Sequence, residues 1–473
     1  MDAVTIGFIC YLAMILIVGF YTARLTKNVK DFALGSQRLG PTVIAFSERA
    51  SGESAWLILG LPGAALVAGM LEIWTVVGSV GGIIFSWLIV AYPMRKATEK
   101  YNALTLPEYF EKKFNDDDGI IRLFSSFIIT FFFTFYVAAQ FSGAGKVLHV
   151  TFGMTQMQGM ILGAVIIIFY TLMGGFLAVA WTDLIQGIIM IGTLVILPLV
   201  GWIELSGAEA VNMVDWSTLY GGTTGSTALA AAIGGLSWGL GYMGQPHLIA
   251  RYMAIDKSES IAVSRKIAYA WAIPAFIGAM FIGLIGSGLI ENGLLSFEGN
   301  TINSIMDLSD PEKLMPIMAK SLLPAWLAGI FISGAIAAMM STADSQLLVS
   351  TTVLTEDITR KYFQKESSDS QMLFIGRIIT IIIGMIAFYM AWQSKELVFE
   401  MVSYSWGGLG SAFGPALVLS LWWKDIKKEG VLAGLFCGTL FTIYPFFSDI
   451  VTPRLSAFVI SALAVVIVSK WKK

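Results

Sequence analysis

Apolar runs alternate with short polar segments along almost the whole chain. A run of about 20 apolar residues is long enough to cross the hydrocarbon core of a bilayer as an α-helix. The second and ninth runs are longer than one straight span needs, which predicts a break in one and an extension beyond the bilayer in the other. The pattern predicts thirteen helices, at residues 3-23, 42-71, 76-95, 121-148, 156-177, 181-204, 228-250, 266-290, 314-354, 372-392, 398-423, 430-447 and 453-471.

Charged side chains interrupt the second predicted helix. Residues 46–63, which we call the first break, read FSERASGESAWLILGLPG and place Glu48, Arg49 and Glu53 among apolar residues. In hydrocarbon, backbone polar groups must be satisfied internally, and a side-chain charge costs several kcal/mol. Such a segment persists only where it is buried in protein or lines a watery cavity. We therefore interpret it as part of a binding site.

A second interruption falls at residues 237–246, which we call the second break. It reads SWGLGYMGQP, and its three glycines and proline disfavour a continuous helix. When the first helix is set aside, the two breaks open two sets of five helices. Matching breaks predict a mid-membrane transporter site, where half-helix ends expose carbonyls to a cation and N–H groups to a carboxylate. The alternative is that these glycines only permit close helix packing.

Composition agrees with a polytopic membrane protein. Of 473 residues, 56% are hydrophobic and 13% are charged, too few charges to cover a soluble globule of this size. The net charge of −2 and the lack of a continuous basic stripe argue against a nucleic-acid partner. No nucleotide-binding loop occurs in the sequence, which argues against a primary pump.

Lysine and arginine concentrate in alternate loops of the predicted topology. One set of loops carries most of them, near residues 24–38, 95–122, 251–266, 360–377, 424–428 and 470–473, whereas the opposite set holds little beyond Lys313, Lys395 and Arg454. Because basic loops stay in the cytoplasm, this asymmetry predicts an amino terminus that faces outward and a carboxyl terminus that faces inward. Arg251 counts as a cytoplasmic loop residue in this prediction.

Seven stretches occur in order along nearly the whole chain: TKNVKDFALGSQRLGP, GLPGA, NALTLPEYF, GGFLAVAWTD, WGLGYMGQPHLIARYMA, AAMMSTADSQLLV and SYSWGGLGSAFGP. Together they resemble the sodium/solute symporter family, and within it most closely the sodium/proline symporters. The resemblance implies cation-coupled secondary transport and no enzymatic activity. It also implies an all-α membrane protein with the inverted five-helix repeat of the LeuT type, in agreement with about thirteen helices.

The same resemblance implies one transporter domain over residues 1-473. Residues 3-23 form an extra leading helix, 42-204 the first repeat, 228-423 the inverted second repeat and 430-471 two trailing helices. Helices 2 and 7 are then the broken ones. The implied location is a prokaryotic cytoplasmic membrane, crossed many times, with the lipid bilayer as partner and a monomer as the functional unit.

A sodium site is implied by the family motifs. It would use the backbone carbonyls of Ala50, Glu53 and Ala338 with the hydroxyls of Ser341 and Thr342. Hydroxyl and carbonyl oxygens are hard donors that suit an alkali cation. The alternative for Ser341 and Thr342 is ordinary hydrogen bonding to a preceding carbonyl of the same helix.

A substrate site is implied at the second break. Trp238, Tyr242 and Pro246 match the family's substrate residues, and an aromatic wall beside free backbone groups suits a small zwitterion such as L-proline. The alternative is that the aromatic residues belong to the interfacial belt of a membrane protein. Four residues complete the predicted substrate site, namely Ser54, Trp56, Gly60 and Tyr136.

The chain departs from the family in the first break. Proline symporters typically carry an aspartate where this chain has Gly52, and here a carboxylate stands one position later, at Glu53. The resemblance also implies a possible second cation site at Asp183, Ser341, Asp344 and Ser345, because some relatives form an additional sodium site there. The other hypothesis is that a buried carboxylate, Glu53 first and Asp344 next, carries a proton through the transport cycle. Glu53 could also be structural, paired with Arg49.

Two further side-chain placements are predicted. Adjacent helical residues do not share a face, so we expect Glu48 and Arg49 to partner different helices. Lys146, at the end of the fourth predicted helix, is expected to extend to the outer surface.

The predicted function is import of a small amino acid, most simply L-proline, coupled to Na+. Three alternatives stay open: proton coupling, another small organic solute, and a transport-fold sensor for a partner protein. A channel without coupling is a further possibility that uptake measurements distinguish.

Overall fold

The computed structural model describes residues 2–205, 215–364, 366–445 and 452–471, which are mostly α-helical. A short antiparallel hairpin pairs β1 (Leu295–Phe297) with β2 (Asn300–Ile302). The first ten helices are α1 (Ala3–Ala23), α2 (Val29–Leu34), α3 (Pro41–Gly52), α4 (Leu61–Ala68), α5 (Ile73–Phe85), α6 (Ala91–Tyr101), α7 (Leu106–Phe114), α8 (Ile120–Phe152), α9 (Gln156–Met173) and α10 (Phe176–Glu204). The others are α11 (Gly225–Leu236), α12 (Trp238–Gly241), α13 (Pro246–Ala254), α14 (Ile261–Glu291), α15 (Leu314–Leu322), α16 (Ala325–Thr352), α17 (Asp369–Gln393), α18 (Val398–Trp422), α19 (Lys428–Ile443) and α20 (Pro453–Trp471).

Nine stretches of the described residues are long and apolar enough to cross a membrane. One of them, Trp56–Tyr101, is long enough for two of the predicted spans. The interrupted helices α11 to α13, the glycine- and serine-rich α18 and the 16-residue α19 do not meet this criterion. The many-helix membrane architecture is therefore confirmed, whereas the count of thirteen spans stays a prediction.

The ninth predicted helix, 314-354, is wrong as a single element. The chain forms α15, leaves helical geometry at Leu323 and Pro324, and begins α16 at Ala325. Proline lacks the N–H that a continuing helix requires, which explains the separation. Beyond α16 the chain continues through wide π-helical turns over Val353–Phe363.

Both predicted breaks coincide with irregular backbone. In the first break, α3 ends at Gly52, Glu53 adopts φ −105° and ψ 64°, and Trp56–Gly60 forms π-helical turns before α4. In the second break, α11 ends at Leu236, and α13 begins only at Pro246. That either interruption lies at mid-membrane stays a prediction.

Glycine lets the second break approach a neighbouring helix. A Cβ on Gly239 would overlap the backbone of Gly78 on α5, and one on Gly82 would overlap the backbone of Gly239. Small residues allow such backbone contact between membrane helices. Close helix packing, the alternative from sequence, therefore explains Gly239 in the second break.

Helix α3 lies at the centre of the fold, where it packs against α10, α13, α14 and α16. Arg49 and Arg251 are among the largest completely buried side chains, alongside four tryptophans. A buried charge is costly unless it is paired and hydrogen-bonded. The partners of these two arginines consequently define the chemistry of the interior.

Candidate substrate and cation site

The predicted cation oxygens on α3 and α16 lie together where these helices meet. Ser341 Oγ lies 2.9 Å from the Ala50 carbonyl oxygen and 3.1 Å from the Ala338 carbonyl oxygen. Thr342 Oγ1 donates to the Ser51 carbonyl at 2.9 Å. Bonding within one helix, the alternative from sequence, accounts only for the Ser341–Ala338 contact. The other two contacts join α3 to α16.

The Glu53 carbonyl, the fifth predicted ligand, follows the last turn of α3. The Glu53 N–H donates to the Arg49 carbonyl at 3.0 Å, after which the backbone leaves the helix. No hydrogen bond within the described ranges joins the Glu53 carbonyl to Ser341 or Thr342. The remaining oxygens are buried and neutral, and each hydroxyl oxygen keeps lone pairs for a ligand. They fit a hard monovalent cation.

Arg251 lies among the residues of the predicted second cation site. Its Nη2 donates to Ser345 Oγ at 2.5 Å and to Ser51 Oγ at 2.8 Å, and it pairs with Asp183 Oδ2 at 3.1 Å. Its Nε donates to Ser47 Oγ at 3.1 Å. The prediction that Arg251 is a cytoplasmic loop residue is wrong, because Arg251 belongs to α13 and is completely buried.

Two carboxylate oxygens in this region are unpartnered. Asp183 Oδ1 and Asp344 Oδ2 are buried and have no hydrogen-bond partner among the described residues. The other Asp344 oxygen accepts from Ser345 at 3.4 Å. Asp183, Asp344 and Ser345 are thus near one another as predicted, with one guanidinium for two carboxylates. Glu53, the first predicted proton carrier, belongs to a separate cluster.

That separate cluster centres on Arg49. Its Nε donates to Glu48 Oε2 at 2.5 Å, its Nη2 pairs with Glu48 Oε1, and its Nη1 pairs with Glu53 Oε1 at 2.7 Å. All three side chains are completely buried. The long Arg49 side chain folds back onto Glu48, which the prediction of different partner helices did not include; beyond this pair, Glu48 accepts from Trp87 and Tyr252, and the Arg49 guanidinium lies 5.6 Å from the Tyr242 ring centroid. The paired alternative for Glu53 is what the structure contains.

Aromatic rings cover the other side of the first break. Trp56 and Trp238 stack with ring centroids 4.6 Å apart and planes 13° apart. Phe399 packs on Trp238 at 4.9 Å and on Trp56 at 6.3 Å. The Arg454 guanidinium lies 4.6 Å from the Trp238 ring centroid. Because both tryptophans are buried, the belt alternative is wrong for them.

Tyr242 connects the aromatic rings to the Arg49 cluster. Its hydroxyl lies 3.0 and 3.1 Å from the two Glu53 carboxylate oxygens, and its ring meets Trp406 at 4.7 Å. Tyr136 lies near the same tryptophan, with its hydroxyl 3.3 Å from Ser54 Oγ.

Gly60 and Pro246 flank this region. A Cβ on Gly60 would lie 3.1 Å from Phe399, so the first break directly contacts the start of α18. Pro246 begins α13 and lines a separate cavity with Ala250 and Thr352. Neither Trp56 nor Trp238 lines that cavity.

Lys146 is buried rather than extended to the outer surface. It pairs with Asp310 at 2.7 Å and with Glu312, whose carboxylate also accepts from the Val398 and Phe399 N–H groups at 2.9 and 2.8 Å. These contacts hold the start of α18 beside the first break. The prediction for Lys146 is wrong because two acidic residues of the loop before α15 surround its ammonium group.

Several interior residues were not predicted. No local signal indicates the position of Phe399, Trp406 and Arg454, since they lie far from both breaks in sequence. Arg251 had one: it follows PHLIA at the start of α13, so its helix continues beyond the predicted end. Its assignment to a loop excluded it from the predicted interior ion pairs.

The fold is of the LeuT type. It matches a solved Na+-coupled sialic acid symporter in a substrate-bound outward-open state, with a TM-score of 0.76 and 19% identity over 100% of this chain and 98% of that chain. MhsT in complex with L-phenylalanine matches with a TM-score of 0.53 and 16% identity over 90% of this chain and 97% of that chain. At these identities the likeness concerns the fold alone.

The chain belongs to the sodium:solute symporter family, whose model matches residues 32–438. The high-affinity proline transporter PutP of Bacillus subtilis is 36% identical over 464 residues, covering 96% of this chain and 95% of that protein. The sodium/proline symporter of Escherichia coli is 35% identical over 441 residues, covering 93% and 86%. The family is one of transporters, not of enzymes.

Proposed function

We propose that this protein is a Na+-coupled symporter that imports L-proline. Sodium would bind between α3 and α16 at the oxygens of Ala50, Ala338, Ser341 and Thr342, with the Glu53 carbonyl joining as the first break rearranges. Proline would bind beside Trp56, Trp238 and Tyr242. Both would enter from outside and leave to the cytoplasm as the broken helices rock against α10 and α16.

The observation that carries this proposal is the contact of Ser341 Oγ with the Ala50 carbonyl at 2.9 Å. It joins the last residues of a helix that ends inside the fold to the middle of a neighbouring helix. Helix ends leave carbonyls without intrahelical partners, and hydroxyls supply neutral oxygens. The affinity for a cation bound there depends on the distance between the two helices. Coupling of cation binding to a conformational change requires such a dependence.

The substrate assignment rests on the aromatic rings and on the relatives. Trp56 and Trp238 are in direct contact, so a ligand between them requires the two rings to move apart. An apolar pyrrolidine ring suits such a wall, while the carboxylate suits free N–H groups at a helix end. The relatives named above are proline transporters, which favours proline over other small zwitterions.

The remaining parts of the proposal concern the cell. We place the protein in a prokaryotic cytoplasmic membrane, with its amino terminus outside, its carboxyl terminus inside and one chain as the transporting unit. The lysine and arginine asymmetry of the loops supports this direction.

Proton coupling is the second candidate. It is favoured by the unpartnered Asp183 Oδ1 and Asp344 Oδ2. These oxygens could hold a second cation or a proton while Arg251 neutralises the other charge.

The test is uptake of radiolabelled L-proline by proteoliposomes under separately imposed Na+ and H+ gradients. We expect accumulation above equilibrium with a Na+ gradient and none with a H+ gradient alone. Accumulation driven only by H+ would replace sodium with the proton. Equilibration without accumulation would indicate a channel, and no uptake at all would overturn the substrate.

A further inference from the structure

The Arg49 cluster holds two carboxylates and only one guanidinium. Glu48, Arg49 and Glu53 are completely buried, and no second Lys, Arg or His forms an ion pair with either glutamate in the described part of the chain. A buried charge without a partner costs several kcal/mol. The cluster is thus short of one positive charge.

Hydrogen bonds show which carboxylate lacks that charge. Glu48 accepts two bonds at each oxygen: Arg49 Nη2 and Tyr252 OH at Oε1, and Arg49 Nε and Trp87 Nε1 at Oε2. A carboxylate offers about four such positions, so Glu48 is saturated. Glu53 accepts Arg49 Nη1 at Oε1, and the single Tyr242 proton is shared between its two oxygens. Oε2 of Glu53 therefore keeps an open position.

The open oxygen lies beside one of the predicted substrate residues. Its one hydrogen bond among the described residues comes from the Tyr242 hydroxyl at 3.1 Å, and Tyr242 stands four residues after Trp238 in the second break. Glu53 itself begins the irregular part of the first break, three residues before Trp56. This region could therefore recognise a substrate that carries a cationic hydrogen-bond donor next to an apolar ring.

We propose that the Glu53 carboxylate is the receptor for the protonated amine of the substrate. This inference rests on the proposed function and adds the chemical class that the site requires: a zwitterion with an ammonium group. The ammonium donates to Oε2 and supplies the missing positive charge, while Tyr242 keeps its bond to Oε1. Glu48 holds Arg49 in place and does not contact the substrate.

This assignment predicts a strict amine requirement. Tetrahydro-2-furoate has the ring and carboxylate of proline with an ether oxygen in place of the amine. A site that hydrogen-bonds an N–H group rejects an analogue that lacks it strongly. We expect tetrahydro-2-furoate to compete for Na+-driven proline uptake at least about 100-fold more weakly than unlabelled proline. Equal competition in the wild type would overturn the inference without any variant.

Glu53→Gln tests the residue itself, with Glu48→Gln as the matched control from the same cluster. In Glu53→Gln we expect the KM for proline to rise about tenfold or more and the selectivity over tetrahydro-2-furoate to collapse. The Na+ concentration for half-maximal uptake is expected to stay within about twofold of the wild type, since the oxygens proposed to bind sodium are backbone and hydroxyl atoms. Glu48→Gln is expected to lower thermal stability and to keep the selectivity.

Failure of the proposed function and failure of the amine receptor give different results. If wild-type proteoliposomes take up no proline, the proposed function fails. If they do and Glu53→Gln keeps the selectivity, only the amine receptor fails; a loss of pH dependence with selectivity kept would assign Glu53 to a proton. Should Glu53→Gln not fold, Glu53→Asp carries the test, because its shorter carboxylate is expected to keep the amine requirement with a higher KM.

Discussion

Two completely buried arginines, Arg49 and Arg251, organise the interior in different ways. Arg49 pairs with Glu48 of its own helix and with Glu53 just beyond it, and those carboxylates bond to Trp87, Tyr242 and Tyr252. Arg251 instead reaches away from α13 to α3, α10 and α16. The first cluster joins the two broken helices and the α5–α6 region to one another. The second joins the broken helices to the helices beside them.

This difference indicates which contacts break and form again during the transport cycle. If the broken helices rock as a unit together with α5 and α6, the Arg49 cluster moves intact, whereas the bonds of Arg251 to Asp183 and Ser345 must be made and broken in each cycle. We therefore expect stability to depend chiefly on Arg49 and turnover chiefly on Arg251.

The largest expected effect is on stability. Arg49→Met leaves Glu48 and Glu53 buried without a countercharge, so we expect a loss of about 3–5 kcal/mol in the free energy of unfolding. Arg251→Met is expected to cost less, about 2 kcal/mol, because Arg251 pairs with one carboxylate rather than two, and Asp183 keeps bonds from Ser47 and Ser51 at 2.6 and 3.1 Å. Unfolding in mixed micelles titrated with SDS measures both. Adding Glu48→Gln to Arg49→Met is expected to restore part of the loss; no restoration would contradict the charge argument.

The next effect is on turnover. Arg251→Lys keeps the charge but loses the fork that reaches Ser47, Ser51, Asp183 and Ser345. We expect the initial rate of Na+-driven proline uptake to fall about tenfold per folded molecule, equivalent to about 1.4 kcal/mol in the rate-limiting barrier. Arg49→Lys serves as control, with its main effect on the melting temperature. Equal uptake losses in the two variants would remove the distinction between the clusters.

The smallest effects come from single hydroxyls. Tyr252→Phe removes one of the four donors to Glu48, and Ser47→Ala removes one acceptor of Arg251. Each is expected to cost about 1–2 kcal/mol, as hydrogen bonds to charged groups do. We expect Tyr252→Phe to lower the melting temperature with little change in uptake, and Ser47→Ala to change the uptake rate. The reverse pattern would show that the two arginines have exchanged roles.

Most predicted helices occur in the structure, and the backbone is irregular at both predicted breaks, because these features depend on local chemistry. Glycine, proline and charge inside an apolar run disfavour a continuous helix wherever they occur, and α3 ends and α13 begins where those residues stand. The error at 314-354 has the same origin, since Pro324 was passed over within an apolar run. The pairing of Ala50 with Ser341 came from the family motif and not from spacing.

The side-chain partners were harder to predict. Adjacent helical residues point in different directions, yet a flexible arginine can reach back, as Arg49 does to Glu48. Lys146 and Arg251 were expected at the surface because charges usually lie there, and only the folded chain supplies Glu312 and Asp183 as their partners. Such pairings depend on residues far apart in sequence.

The most direct test of the central claim is the Na+ dependence of proline uptake in Ser341→Ala, compared with Ser333→Ala. Both serines are buried on α16, but Ser333 donates only to Gly329 of its own helix, at 2.7 Å, whereas Ser341 contacts Ala50 of α3. We predict that Ser341→Ala raises the Na+ concentration for half-maximal uptake about tenfold, or about 1.4 kcal/mol, and that Ser333→Ala changes it by less than about twofold. The same Na+ dependence in both variants would contradict a sodium site between α3 and α16.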